Sequence, residues 1–306
     1  MKRADDRPRA KPQRLLVTLL GDHWRGKAEH IPSTALLRLL AEFGVSAKGA
    51  RSALSRLVRR GLLARSRRGR RTSYGLTNRG LALLDEGAKR IFRFGLEQAR
   101  WDGTWSVVAF SVAEANRDRR HLLRTRLRWL GFGPLYPGLW ISPHPHLEEA
   151  ATALDDLGIH DMTVFKGIVP SWGSRPGDFR KAWDLDSLRE SYIRYLERFR
   201  PVRARMRAGR ITAREALVMR TRVMDEWRKF PRADPDLPDA FLPADWPRRE
   251  ARALFAELFR GLGPAAEKRV AEIVEQDERF TGASLASKAA LNGEGSKSGT
   301  SPNRAA

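Results

Sequence analysis

The chain has 306 residues, no cysteine and a formal net charge of +22, which excludes disulfides, thiolate metal sites and cysteine nucleophiles and fits two or three domains better than one small core. With 42% hydrophobic residues, nine Trp and thirteen Phe, it reads as a folded protein and not a basic disordered tail. No stretch reaches the roughly twenty apolar residues of a membrane helix, and no apolar signal core follows Met1-Lys2-Arg3-Ala4-Asp5-Asp6, so the sequence predicts a soluble cytoplasmic protein with no membrane partner.

Residues 1–12 are polar and predicted to be disordered. A first helix runs from about Gln13 to Leu20. The stretch Ser33 to Thr77 then reads as helix, turn, helix and two-stranded ribbon. Leu36, Leu37, Leu39 and Leu40 form the apolar face of a short helix with Ser33 as its N-cap. Phe43-Gly44-Val45 makes the turn. Ser46 caps a second helix that runs to about Arg60 and is ended by Gly61. Ala50, Leu54, Leu57 and Val58 recur at helical spacing and face the core. Lys48, Ser52, Ser55, Arg56 and Arg59 lie opposite, and Arg51 borders them. Leu62-Leu63-Ala64 and Ser73-Tyr74-Gly75-Leu76 read as short strands, with Arg67-Arg68-Gly69-Arg70-Arg71 filling the turn between them.

This is the outline of a winged helix-turn-helix domain, placed at residues 13–94, in which one helix enters the DNA major groove. Hydroxyls and guanidiniums reach base edges, while cations at the rim pair with phosphates. A solvated basic face would give the second helix the same pattern. The ribbon decides between them, because four arginines crowded at one tip repel each other unless an anion sits against them. The candidate DNA-binding residues are therefore Ser46, Lys48, Arg51, Ser52, Ser55, Arg56, Arg59, Arg67, Arg68, Arg70 and Arg71. Residues 1–100 carry 24 of the 58 Lys and Arg but only 8 of the 36 Asp and Glu, the local concentration that phosphate neutralisation requires.

A helix from about Asn78 to Phe94 follows, and Gly95 to Gly103 reads as a junction. Trp105 to Val112 is a buried strand, Arg117 to Leu130 a helix ended by Gly133-Pro134, Leu139 to Ser142 a strand, His146 to Leu157 a helix and Met162 to Val169 a strand. That alternation predicts a ferredoxin-like α/β sandwich at residues 101–170. Residues 180–280 read as a helical domain, with helices at about Ser187–Arg200, Thr212–Lys229 and Arg248–Glu278. Thr212 and Glu215 have capping-box spacing, and Pro231, Pro235, Pro238, Pro243 and Pro247 punctuate the loop between the last two helices. Residues 282–306 read as a disordered tail. The fold class is α+β.

These segments resemble the PaaX family of bacterial transcriptional regulators over roughly residues 13 to 272. The resemblance is carried by three stretches. The first is Ala50-Arg51-Ser52-Ala53-Leu54-Ser55-Arg56-Leu57 with Gly61, Gly69-Arg70-Arg71, Tyr74, Leu76 and Gly80. The second is Trp101-Asp102-Gly103-Thr104-Trp105 with Leu130-Gly131-Phe132-Gly133. The third is Asp234-Pro235-Asp236-Leu237-Pro238 with Leu242-Pro243-Ala244-Asp245-Trp246 and Ala251. It implies a homodimeric repressor of a catabolic operon, phenylacetate degradation in the best-known members. It also implies release from operator DNA by an aryl-acyl-CoA such as phenylacetyl-CoA. A regulator of the same build answering to another small molecule is the alternative.

Readings as an enzyme are weaker. The central region resembles the small ferredoxin-fold nucleases of CRISPR adaptation systems, which place a metal-holding Asp at the end of the first strand. Here Ser111 stands there, a poor ligand for a hard cation, and Asp102 precedes the strand. His144 and His146 flank Pro145 with no third ligand evident. No phosphate-binding glycine loop appears, and Ser171 and Ser174 lack nucleophile-elbow spacing. The sequence predicts no enzyme, no cofactor and no metal. Trp101, Trp105, Trp129 and Trp140 read as core or interface, and Tyr192, Tyr195 and Phe199 as core at helical spacing. Arg194, Arg198, Arg203, Arg205, Arg207 and Arg210 could meet acyl-CoA phosphates or form a solvated face; the solvated face is favoured, and no effector-binding residue is assigned.

Overall fold

The computed structural model describes residues 12–69, 71–96, 101–112, 117–168 and 179–277. Its fold divides into two units, one drawn from 1–84, 212–218 and 263–306, the other from 85–211 and 219–262. The expected disordered segments otherwise lie outside the described residues, except that Pro12 is already helical.

The first unit opens with α1 (Pro12–His23). Proline suits its first position because that N–H has no intrahelical acceptor. β1 (Ile31–Pro32) was not foreseen. It pairs with the third strand, Ile31 opposite Tyr74 and Pro32 opposite Ser73. This corrects the cap of α2 (Ser33–Ala41): Pro32, held extended by that pairing, is the N-cap, and Ser33 is the first helical residue. α3 (Ala47–Arg59) starts as expected, with the Ser46 hydroxyl accepting from the Gly49 N–H at 3.2 Å. Gly61 ends it at φ +67°, a backbone region that disfavours any side chain.

The ribbon is longer than its composition suggested. β2 (Leu63–Arg68) and β3 (Arg71–Leu76) zip together almost to the tip, so Arg67, Arg68 and Arg71 are strand residues and not turn residues. The sheet order is β1-β3-β2. α4 (Asn78–Arg93) follows. Leu16, Leu19, Leu36, Leu39, Leu40 and Leu54 are fully buried beneath these elements, each stabilising by about 1.5–3 kcal/mol relative to exposure.

The second unit contains β4 (Trp105–Phe110), α5 (Arg117–Trp129), β5 (Gly133–Tyr136), β6 (Leu139–Ser142), α6 (Leu147–Asp155) and β7 (Met162–Gly167). The strand order is β5-β6-β4-β7, every neighbouring pair antiparallel. The sheet has four strands where three were expected. Gly133-Pro134, read as a break, begins the edge strand β5; an edge tolerates proline because one side of the strand makes no ladder bonds. Glycine is required at 133, since a Cβ there would stand 2.6 Å from the Ala182 carbonyl oxygen.

Both faces of this sheet are covered. Val108 and Trp140 pack with Leu123 and Leu127 of α5 and Ala150 and Leu154 of α6. Trp105, Val107 and Ile141 pack on the other face against Ala182, Trp183 and Phe241. That explains the nearly unbroken apolar run of β4, which a sheet with one wet face would have interrupted.

Next come α7 (Leu185–Arg207), α8 (Ala213–Trp227), α9 (Phe230–Ala233) and α10 (Arg248–Gly261). α7 continues through Pro201, past its expected end at Arg200. The single helix expected from Arg248 to Glu278 is two helices, α10 and α11 (residues 263–277), separated at Leu262. Pro264 sits in the first turn of α11, where proline begins a helix more readily than it continues one. The capping box forms: Thr212 N–H donates to Glu215 Oε2 at 3.0 Å and Glu215 N–H to Thr212 Oγ1 at 3.2 Å.

Tyr192 stacks on Phe230 with centroids 4.0 Å apart, and Trp227 on Phe255 at 4.8 Å. The proline-rich loop is fastened beneath them. Tyr192 donates to buried Asp234 at 2.6 Å, and Arg248 lies 2.8 Å from Asp236 and 3.5 Å from Asp234 while donating to the Leu237 carbonyl. Burial pushes the Asp234 carboxyl up against the opposing pull of Arg248 and Tyr192. Among the described residues no helix is long and apolar enough to cross a membrane.

Candidate nucleic-acid interface

α3 owes its two faces to the periodicity of its sequence. Ala50, Ala53, Leu54 and Leu57 are buried. Lys48, Arg51, Ser55, Arg56 and Arg59 are exposed on the other side, with Ser52 half-buried. Two of the hydroxyls are engaged. Ser46 is the helix cap, and Ser52 accepts from Arg56 Nη2 at 3.1 Å. Ser52 and Arg56 therefore form one hydrogen-bonded pair, one turn apart.

In the ribbon, Arg67, Arg68 and Arg71 are exposed; Arg70 lies outside the described residues. Arg67 Nε donates to the Gly69 carbonyl at 3.0 Å and folds its side chain along the tip. Arg68 stands directly across from Arg71. Like charges directly opposite one another across strands are destabilising, so the fold itself gains nothing from this pair. Two exposed cations of α3 and the ribbon were not singled out beforehand: Arg60, which ends α3, and Arg65, on β2 across from Tyr74. Their signal was available. Arg65 precedes Arg67 by two, the spacing that puts strand residues on one face. More broadly, positions 43 to 84 hold eleven Lys and Arg and not one Asp or Glu.

α3 and the ribbon are joined through the start of α4. Thr77 Oγ1 donates to the Gly61 carbonyl at 2.6 Å and accepts from the Gly80 N–H at 3.0 Å. The Thr77 N–H donates to the Leu62 carbonyl at 3.2 Å. The end of α3, the first strand of the ribbon and the cap of α4 thus share one set of hydrogen bonds.

The residues weighed for chemistry are occupied otherwise. Asp102 accepts from the N–H and hydroxyl of Thr104 at 2.8 and 2.6 Å, and those bonds hold its carboxyl below the usual range. Ser111 is at the end of β4, its N–H donating to the Asp161 carbonyl at 3.0 Å. His144 Nε2 donates to the Pro235 carbonyl at 2.7 Å, while His146 Nδ1 lies 3.3 Å from Glu149. Among the described residues no three His, Asp or Glu come together as a metal cluster. Ser171 and Ser174 lie outside the described residues.

Much of the arginine-rich stretch after Tyr192 is paired. Arg200 and Arg207 of α7 lie 2.7 Å from Glu250 and Glu257 of α10 respectively, two rungs that show the helices running side by side in the same direction. Arg194 pairs with Glu190 and Arg198 with Glu226, and Arg205 donates to the Arg210 carbonyl. Tyr192, Tyr195 and Phe199 are core.

Comparison with known proteins agrees along most of the chain. Residues 11–80 match a family model described as PaaX-like protein, residues 98–176 one described as PaaX protein central Cas2-like domain, and residues 183–272 one described as PaaX-like protein C-terminal domain. The transcriptional repressor PaaX of Escherichia coli is 30% identical over 266 residues, covering 84% of this chain and 82% of that protein. The solved structure of the uncharacterized protein Rv0674 from Mycobacterium tuberculosis shares the fold with a TM-score of 0.56 and 24% identity, across 86% of this chain and 99% of that one.

Proposed function

The chain belongs to the PaaX family, and on that footing we propose that it is a DNA-binding transcriptional repressor. The relative from Escherichia coli carries that function in its name. The observation that carries the reading here is the acid-free basic surface of α3 and the ribbon, with Arg68 set against Arg71.

In this reading α2, α3 and the ribbon are a winged helix-turn-helix. α3 lies in the major groove with Arg51, Ser52, Ser55 and Arg56 toward base edges. Lys48, Arg59 and the ribbon arginines Arg67, Arg68, Arg70 and Arg71 lie toward phosphates. Ser46 serves by fixing the start of the helix. The strand order β5-β6-β4-β7 with α5 and α6 supports a ferredoxin-like central domain. The protein acts in the cytoplasm as a homodimer whose two-fold axis matches a palindromic operator. An aryl-acyl-CoA such as phenylacetyl-CoA releases it by favouring a state in which the two α3 helices no longer fit successive grooves.

The test is selection of preferred duplexes from a random library, followed by competition with unrelated DNA at physiological salt. The selected duplex should bind at least about 10³-fold more tightly; equal affinity for both would make the protein a non-specific binder. Adding phenylacetyl-CoA should lower affinity for the selected duplex, while CoA and the free acid should not. Release by another metabolite alone would retain the repressor and replace the effector.

A further inference from the structure

α11 lies along α2 and is fastened to it at both ends. Arg269 Nη2 donates to Glu42 Oε1 at 2.6 Å, and Thr34 Oγ1 donates to Asp277 Oδ2 at 2.6 Å. Positions 34 and 42 meet 277 and 269, the same eight-residue interval taken in opposite directions, so the two helices run antiparallel. Eight residues of helix span about 12 Å, nearly the whole of α2. The other oxygen of Glu42 accepts from Arg214, in the first turn of α8. Arg269 also lies 3.1 Å from Glu272, through Nη1, its other terminal nitrogen.

Glu42 is not an ordinary surface carboxylate. Its side chain is 9% exposed and sits between two arginines that arrive from segments more than 170 positions away. Exposed ion pairs contribute little, but a carboxylate this enclosed is left only half compensated when one of its two partners is removed. It also occupies a particular place. Glu42 is the C-cap of α2, and the turn Phe43-Gly44-Val45 follows it directly, with α3 beyond. Ala216, Leu217, Ala266, Val270 and Ile273 are buried, so both distant segments bring apolar surface as well as charge. The family matches treat residues 11–80 and 183–272 as separate parts. The clamp joins them, and Asp277 lies beyond both.

We propose that Glu42 is a positioning residue for DNA reading, and that α11 and the start of α8 are working parts of the DNA-reading unit through it. The proposal rests on the repressor reading. It accounts for why a helix so far along the chain belongs to the unit that carries α3. Arg214 lies in the first turn of α8, so a change in the setting of that turn is felt at Glu42.

The test uses the full chain and two readouts. Amide hydrogen exchange in Glu42→Gln should show α2 and α3 losing about tenfold in protection, the scale of one charge-assisted hydrogen bond, while α5 stays as in the wild type. The same variant should lose about tenfold in preference for a duplex selected by the wild type over an unrelated duplex. Most of its salt dependence should remain, because the ribbon arginines still meet phosphates and only Lys48 and Arg59 move with α3. Arg269→Ala should behave alike and add little to Glu42→Gln. Arg214→Lys keeps the charge and loses the planar fork; it should produce a smaller loss in the same segments and covers a Glu42→Gln protein that fails to fold. Unchanged protection of α2 and α3, or equal losses of affinity for both duplexes, overturns the proposal. A wild type with no sequence preference sinks the repressor reading, while the exchange measurement still decides whether the clamp sets α3.

Discussion

Gly80 lies flat against Leu62. A Cβ at position 80 would stand 2.2 Å from the Leu62 carbonyl oxygen, a backbone atom that has no rotamer by which to move away. The same carbonyl accepts from the Thr77 N–H, and Gly80 itself donates to the Thr77 hydroxyl. This close approach holds the start of α4 against the junction between α3 and the ribbon.

Gly80→Ala should therefore destabilise, by at least about 1–3 kcal/mol as for other forced overpacking. Gly87, also within α4, supplies the control, since a Cβ there meets nothing within 4 Å. Gly87→Ala should stabilise by roughly 0.5–1 kcal/mol through helix propensity alone. Denaturant unfolding of both variants checks the contrast; two shifts of the same sign would mean that packing at Gly80 is not what glycine serves there.

Much of the basic face formed by α3 and the ribbon was legible because its signals are local. The cap at Ser46, the period of Ala50, Leu54 and Leu57, and Gly61 after α3 lie within sixteen consecutive positions, and each acts on its neighbours in the chain. What was missed depends on distant partners. β1 is two residues long and exists because β3 offers it an edge. β5 begins Gly133-Pro134, which alone reads as a stop, and becomes a strand because β6 lies beside it. α7 passes Pro201 while its neighbours Arg200 and Arg207 are fastened to α10. The clamp on Glu42 joins positions 227 apart, and no periodicity carries that information.

The ribbon arginines should contribute affinity without sequence preference. Replacing Arg67, Arg68, Arg70 and Arg71 with Ala should weaken binding to every duplex. It should also flatten the slope of log affinity against log salt by roughly 0.9 for each phosphate left without its cation. The substitutions relieve the repulsion between Arg68 and Arg71, so stability should hold or rise while binding falls. A slope equal to that of the wild type would place the tip away from the backbone of the DNA.

α3 should contribute the preference. Arg51→Ala or Arg56→Ala should relax selectivity at one or two base pairs, at about 1–3 kcal/mol for each bidentate pairing with a base that is removed. The Ser52–Arg56 hydrogen bond adds a finer expectation. Ser52→Ala should matter less once Arg56 is already Ala, because the two act as one unit. Affinities for a panel of single-base variants of the selected duplex measure this cycle, and uniform losses across the panel would make both arginines phosphate anchors.

The Glu42 clamp should show itself in the pH dependence of stability. Burial pushes the Glu42 carboxyl up, but hydrogen bonds from Arg269 and Arg214, with their charges, outweigh that and hold it below its ordinary value of 4.5. A carboxylate whose folded value is depressed contributes stability that is present above the unfolded value and lost as pH falls through the folded one. The difference in unfolding free energy between the wild type and Glu42→Gln should thus be level near neutrality, at about 1.5–3 kcal/mol for hydrogen bonds to a charged group. It should shrink as pH drops below 4.5, because the wild-type carboxyl then takes up its proton and comes to resemble the amide. Taking the difference cancels the other carboxylates, which titrate alike in both proteins. Unfolding curves from about pH 3 to 7 measure it, and a difference that stays level throughout would show that charge is not what holds Arg269 and Arg214 to Glu42.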